Sequence, residues 1–157
     1  MERKERIFTP AGIVTVVFSD AGLKGILLPS RPPPALPCSG EVYRDGECGL
    51  AHLLVLYLSG VPVDFSQVEL DMGGLTPFTC LVLDALKGVG YGERITYGQL
   101  ADRIGKPGAF RAVGQALRRN PFPLVVPCHR VVARDGIGGF SGGIEWKRWL
   151  LAMESGV

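Results

Sequence analysis

Between residues 6 and 29, apolar and β-branched residues come in short runs that alternate or cluster as strands do. Residues 13–18 and 25–28 are the predicted strands, parted by the turn-forming Ser19, Asp20, Ala21 and Gly22. Residues 31–37 hold four prolines and are expected to run as an extended connection outside any sheet or helix. Residues 47–59 are almost wholly apolar and of helical length, with Gly60 and Pro62 as stop signals. Residues 65–72 return to a strand-like pattern.

From Thr76 the period changes. Thr76 followed by Pro77 is a helix start, and Phe78, Val82, Leu83 and Leu86 follow at helical spacing until Gly88 and Gly90. Thr96 and Gln99 form a capping box for a helix to about residue 104. After a glycine-bounded turn at 105–108, a second helix is expected over 109–119, giving a helix-turn-helix pattern. Leu124, Val125 and Val126 are expected as a buried strand and residues 131–133 as another, with a hairpin turn at Arg134, Asp135 and Gly136. Residues 138–143 read as a glycine-rich loop, and 144–153 as a helix burying Trp149, Leu150 and Met153 with Glu154 at its end. The expected class is therefore α/β (α+β). A small strand-and-helix domain (1–73) is expected to pack on a mainly helical domain (74–157) that contains the helix-turn-helix.

Hydrophobic residues at 46% and charged ones at 20% fit a soluble globular chain of 157 residues with an adequate core. No signal peptide or spanning segment is evident, so the expected location is cytoplasmic, nucleoid-associated or, in a eukaryote, nuclear. A net charge of +2 conceals an imbalance: residues 1–75 carry 6 Lys+Arg against 9 Asp+Glu, and residues 76–157 carry 11 against 6. A basic second half points to a polyanionic partner. Cys38, Cys48 and His52 lack the paired Cys-x-x-Cys hook of zinc sites, so neither metal nor cofactor is expected. Free thiols are the simplest state of the four cysteines, with a Cys38–Cys48 disulfide as the alternative.

The chemistry concentrates at Pro127, Cys128, His129 and Arg130. A thiol is a strong nucleophile only as the thiolate, which an adjacent imidazole and guanidinium favour. The plain alternative is a core cysteine packed as a small hydrophobe. On the second helix of the pair, Ala109, Ala112, Gly114 and Ala116 are small enough to let something large approach, and Arg111, Arg118 and Arg119 lie among them.

Together these pieces resemble the O6-alkylguanine-DNA alkyltransferase family. They are Tyr97 to Leu100, Arg111 to Gly114, Asn120 with Pro121, Pro127 to Val132, Ser141 to Gly143 and Trp149 to Glu154, in the family's order and approximate spacing over roughly half the chain. The resemblance implies direct-reversal DNA repair. An alkyl group would pass irreversibly from O6-alkylguanine, or O4-alkylthymine, to Cys128, with one turnover per molecule. Cys128 is then the nucleophile, His129 its base through a water, and Glu154 the acid that fixes the imidazole. Asn120 would tie the helix pair to the active-site turn. Tyr97 would donate to the guanine ring, while Ser141 and the backbone near Val131 read the base edge. Arg111 would fill the space left by a base rotated out of the stack. Ala112 and Gly114 would meet the minor groove of double-stranded DNA irrespective of sequence, Arg118 and Arg119 the phosphates. Arg130 is expected to buttress the turn. Phe110 and Phe140 depart from the family's usual residues. The protein is expected to act as a monomer.

Two other readings remain at this stage. A lesion sensor would keep the DNA-binding fold with an inert thiol. A zinc or redox protein built on Cys128 and His129 would leave Tyr97 and Arg111 unexplained.

Overall fold

The computed structural model describes residues 1–37 and 49–156. Strands β1 (Arg3–Thr9), β2 (Gly12–Ser19) and β3 (Gly22–Leu27) form an antiparallel sheet in the order β1-β2-β3. Alternation turns Ile7, Val14, Val16, Leu23 and Ile26 inward, while Phe8 and Leu27 face solvent. The first four residues of β1 are all charged, as suits an exposed edge, and they hid most of this strand from a hydrophobic reading.

Helix α1 (Leu50–Leu58) covers the expected helix apart from its first residues; residue 47 lies outside the described residues, as do Cys38, Cys48 and the disulfide and zinc readings that involve them. The helix buries Leu54, Tyr57 and Leu58 completely.

The strand expected over residues 65–72 does not form. Asp64 Oδ1 accepts from the Ser66 amide at 2.8 Å, and the Val68 amide returns to the Phe65 carbonyl at 3.0 Å. This local side-chain bond offers the backbone a turn in place of a ladder. Only Leu70 keeps a bridge, parallel to Leu23.

Helix α2 (Pro77–Leu86) starts at Thr76, whose hydroxyl accepts from the Thr79 amide. The two-residue β4 (Ile95–Thr96) leads into α3 (Tyr97–Arg103), and both halves of the capping box at Thr96 and Gln99 are present. Helix α4 (Phe110–Arg118) follows the glycine turn, and α3 and α4 pack on each other and on α2, consistent with a helix-turn-helix. A 3-10 turn (Cys128–Arg130) then runs into β5 (Val131–Val132), parallel to β4. Helix α5 (Ile144–Glu154) closes the chain.

The strand expected at Leu124, Val125 and Val126 is instead a tight buried turn. The Val126 amide bonds the Phe122 carbonyl at 2.9 Å, and Leu124 sits at φ +75°, where an L side chain is strained. Pro123 and Pro127 bracket the run and remove the amide donors a ladder needs. Its apolar character reflects burial, which a turn satisfies as well as a strand does.

One hydrophobic core runs through both halves. Hydrogen bonds cross it, from Trp146 Nε1 to the Pro29 carbonyl at 2.7 Å and from the Ile26 amide to the Pro121 carbonyl at 2.9 Å. Among the described residues, no helix is long and apolar enough to cross a membrane, and no group of three or more His, Cys, Asp or Glu could hold a metal.

Candidate active site

The 3-10 turn places Cys128 and His129 at the floor of the C-terminal half, both buried. A cavity of about 350 Å³ opens over the thiol and is lined by Cys128, Tyr97, Ser141, Arg111, Gly114 and Arg118, with Phe110 and Phe140 at its walls. Six residues singled out from the sequence thus meet at one cavity. Of the residues expected to meet the base or the DNA, three do not line it. Ala112 and Arg119 are exposed elsewhere on or just beyond α4, and Val131 is buried in β5 with its carbonyl engaged by Lys147 Nζ at 2.5 Å. The small residues of α4 also divide: Ala112 faces solvent, whereas Ala116 is buried and reflects helix packing.

Behind the thiol lies a dense polar cluster. His129 Nε2 is 2.8 Å from Glu154 Oε1, and that oxygen also accepts from the Tyr57 hydroxyl at 2.6 Å and from Arg130 Nη2 at 2.8 Å. Arg130 Nε reaches Glu154 Oε2 at 3.0 Å, and Nη1 donates to the Val89 carbonyl at 2.7 Å. Arg130 is therefore spent on Glu154 and backbone, a buttress to the turn. With the carboxylate on Nε2, the imidazole carries its proton there, and Nδ1 is left as a buried acceptor without a partner among the described residues. That orphan lone pair is what a general base requires. Burial alone would raise the Glu154 carboxyl, but donors from His129, Arg130 and Tyr57 reverse this and hold it at about 2. For His129 burial wins and lowers its proton affinity, so the neutral, base-competent ring is the resting form.

The thiol departs from expectation. The imidazole and guanidinium next to it in sequence favour a thiolate, yet burial pushes Cys128 up to about 11. The Asn120 amide, the Lys147 ammonium and nearby backbone amides oppose this only in part. The guanidinium faces away, and the imidazole is neutral, so neither supplies the positive charge. In the DNA-free protein the resting sulfur is a thiol.

Two further residues escaped the sequence reading. Lys147 is fully buried, donates to the Val131 and Gly139 carbonyls, and lies 5.8 Å from the centroid of the Tyr97 ring. Burial lowers it to about 8, with the Cys128 charge acting to raise it. Its place on the buried stripe of α5, three residues before Leu150 and seven before Glu154, was a legible sign. Tyr57 carried no such sign, since it lies in an apolar helix and its partners are 72 and 97 residues away.

Residues 77–156, just over half the chain, match the family described as 6-O-methylguanine DNA methyltransferase, DNA binding domain. The chain is 38% identical over 151 residues to the methylated-DNA–protein-cysteine methyltransferase of Methanothermobacter thermautotrophicus, covering 90% of this chain and 78% of that protein. Identity to the protein of the same description from Mycolicibacterium paratuberculosis is 44% over 147 residues, 93% and 88% of the two chains. The fold superposes on the crystal structure of Mycobacterium tuberculosis OGT in complex with DNA with a TM-score of 0.79 at 34% identity, covering 98% of this chain and 93% of that one. A thiol beside an unpaired imidazole nitrogen, under a cavity flanked by a basic helix, agrees with these likenesses: the chain belongs to the methylated-DNA–protein-cysteine methyltransferases, the enzymes of direct-reversal DNA repair.

Proposed function

We propose that Cys128 accepts the alkyl group of an O6-alkylguanine that has been rotated out of the duplex into the cavity above it. The observation that carries this reading is the convergence of Cys128, Tyr97, Ser141 and Arg111 on one cavity, with the vacant Nδ1 of His129 buried behind the thiol. As the sulfur–carbon bond forms, the bond between carbon and O6 breaks. The thiol proton passes through a water to His129 Nδ1, and Glu154 stabilises the resulting imidazolium. Guanine departs as the neutral base as the Tyr97 hydroxyl passes a proton to its ring, and the proton taken up by His129 returns to Tyr97 through solvent, so that the thiol proton ends on guanine. Burial keeps that hydroxyl protonated at neutral pH, as a donor needs. The thioether has no route back, so each molecule reacts once.

DNA is the partner, and α4 is the element we assign to the minor groove. Arg111 is exposed at the cavity rim and suited to fill the vacated stack, while Ala112 and Gly114 allow close approach. Arg118 and Arg119 suit phosphates, which carry no sequence information. Engagement as a monomer independent of sequence fits a protein that must find lesions anywhere.

A resting thiol pushed to about 11 is the one observation that favours a lesion sensor without transfer. Mass spectrometry after mixing with a duplex containing O6-methylguanine decides between the two. Transfer predicts one added methyl on Cys128 and none in Cys128→Ser, whereas a sensor binds the duplex with no gain in mass.

A further inference from the structure

Tyr57 stands outside the segment that matches the family description, on a helix of the N-terminal half, yet its hydroxyl enters the polar cluster behind the thiol. The ring is fully buried and packs edge-on against Phe65 and Tyr91, with centroids 5.7 and 6.0 Å away. A phenylalanine would fill that space equally well. A buried hydroxyl is costly unless bonded, so the oxygen must answer to its partners. Those partners are Glu154 Oε1 at 2.6 Å, to which it donates, and His129 Nε2 at 3.1 Å, whose N–H it helps to accept.

We propose that Tyr57 is a positioning residue for alkyl transfer: by sharing Glu154 Oε1 with His129, its hydroxyl fixes the imidazole tautomer and sets how strongly Nδ1 binds the thiol proton. Glu154 Oε1 carries three donors, from Tyr57, His129 and Arg130. Each draws charge from the carboxylate and so weakens its hold on an imidazolium. The groups facing His129 are Tyr57 from α1, Cys128 and Arg130 from its own turn, and Lys147 and Glu154 from α5, with Tyr91 stacked beyond Tyr57 and Arg130. Among these, Tyr57 is the contribution of the N-terminal half. The C-terminal unit therefore carries the thiol and the base, and the N-terminal half tunes the base.

This rests on His129 acting as the base, and Tyr57→Phe in the full-length protein tests it. Loss of the hydroxyl leaves a more basic carboxylate, so His129 gains its proton at higher pH and the acid limb of methyl transfer moves up. The expected displacement is about one pH unit, on the scale of one charge-assisted hydrogen bond. A profile superimposable on that of the parent protein overturns the proposal. Should the variant not fold, 3,5-difluorotyrosine at position 57 keeps the shape but donates more strongly. The limb then moves down, and no displacement again overturns the proposal. If the parent protein transfers nothing, the reading of His129 fails separately. The 15N shifts of the His129 ring then judge Tyr57, because Nε2–H must respond to Tyr57→Phe and an unchanged spectrum rejects the role.

Discussion

The Asn120 side chain clamps the turn that carries the thiol. Its Nδ2 donates to the Val126 carbonyl at 3.0 Å while its Oδ1 accepts from the Phe122 amide at 2.9 Å. Asn120 directly follows Arg119, the C-cap of α4, so the clamp makes the position of Cys128 depend on the helix that we assign to DNA. Asn120→Ala leaves the buried Phe122 amide without its partner, at about 1–3 kcal/mol, and takes one of two donors from the Val126 carbonyl, which keeps the Cys128 amide at 2.8 Å. The variant should lose about 1–3 kcal/mol in denaturant unfolding, and Cys128 should become less reactive as the amide that lowers its proton affinity disappears. A loss under about 0.5 kcal/mol, the scale of an ordinary surface change, would mean the turn is held by something else.

Reactivity of the free thiol should follow its burial. Without DNA, alkylation of Cys128 by iodoacetamide should still be rising at pH 10, because the sulfur ionises near 11. Lys147→Met removes the ammonium that favours the thiolate, and should slow alkylation at pH 7, where Lys147 is still charged, by about tenfold, one unit of proton affinity. Peptide mapping separates Cys128 from the less buried Cys80. A reaction that levels off below pH 9 would place the thiolate in the resting protein after all.

Gly138 is tied to Tyr97 by shape. Its φ is +77°, and a Cβ there would stand 2.8 Å from the Tyr97 hydroxyl and 3.2 Å from the Ala133 amide nitrogen. Gly138→Ala should cost about 1–3 kcal/mol in strain and displace the hydroxyl, cutting transfer by about tenfold or more. A Cβ on Gly136, two residues earlier, would meet nothing within 4 Å among the described residues, so Gly136→Ala should change stability by less than about 0.5 kcal/mol. Equal behaviour of the two variants in melting and in transfer would remove any special role for this approach.

Acid should unfold the protein through its polar cluster. Glu154 is held at about 2, below its ordinary value of 4.5, so it adds stability that is complete above about 4.5 and lost as pH falls toward 2. His129 acts in the same direction and earlier. Its proton affinity is lowered by burial, so the unfolded chain takes up a proton near 6.5 that the folded chain resists. Unfolding free energy should therefore decline from about pH 6.5 downward, and more steeply below 4.5. Glu154→Gln should flatten the lower part of that curve while reducing stability at pH 7, since it leaves Arg130 buried without a counter-charge. An unchanged acid limb in the variant would assign the decline to other carboxylates.

How much of this was legible depended on whether the signal was local. The caps at Thr76 and Thr96, the paired helices and α5 all follow from residues within one turn of each other, and they form as read. The cysteine, tyrosine, serine and arginine that line the cavity were picked out because short runs carry them. What failed was non-local or ambiguous in kind. A three-residue apolar stretch between prolines satisfied burial as a turn, with Leu124 strained to do so. An Asp–Ser side-chain bond diverted the strand at 65–72. The sulfur's protonation was misjudged because adjacency in sequence implied a cation beside it, whereas the fold turns Arg130 toward Glu154 and brings Lys147 in from α5. Tyr57 was invisible for the same reason.

Arg111 separates base extrusion from chemistry. Its guanidinium is exposed at the rim of the cavity, 5.9 Å from the Phe110 ring centroid, and makes no ion pair among the described residues. Rotating a nucleotide out of the stack costs a few kcal/mol, and a side chain that occupies the gap offsets part of that. Arg111→Ala should therefore slow transfer from duplex O6-methylguanine by about ten- to a hundredfold, equivalent to about 1.4–2.7 kcal/mol of barrier. Reaction with free O6-benzylguanine needs no extrusion, and its rate should stay within about threefold of the parent's, a barrier change under about 0.7 kcal/mol. Phe110, half-exposed beside the arginine, gives a second handle, since Phe110→Ala removes the ring under the guanidinium and should reproduce part of the duplex defect. Parallel losses on both substrates would show that Arg111 shapes the cavity itself, and the assignment of α4 to the groove would then need another residue to fill the stack.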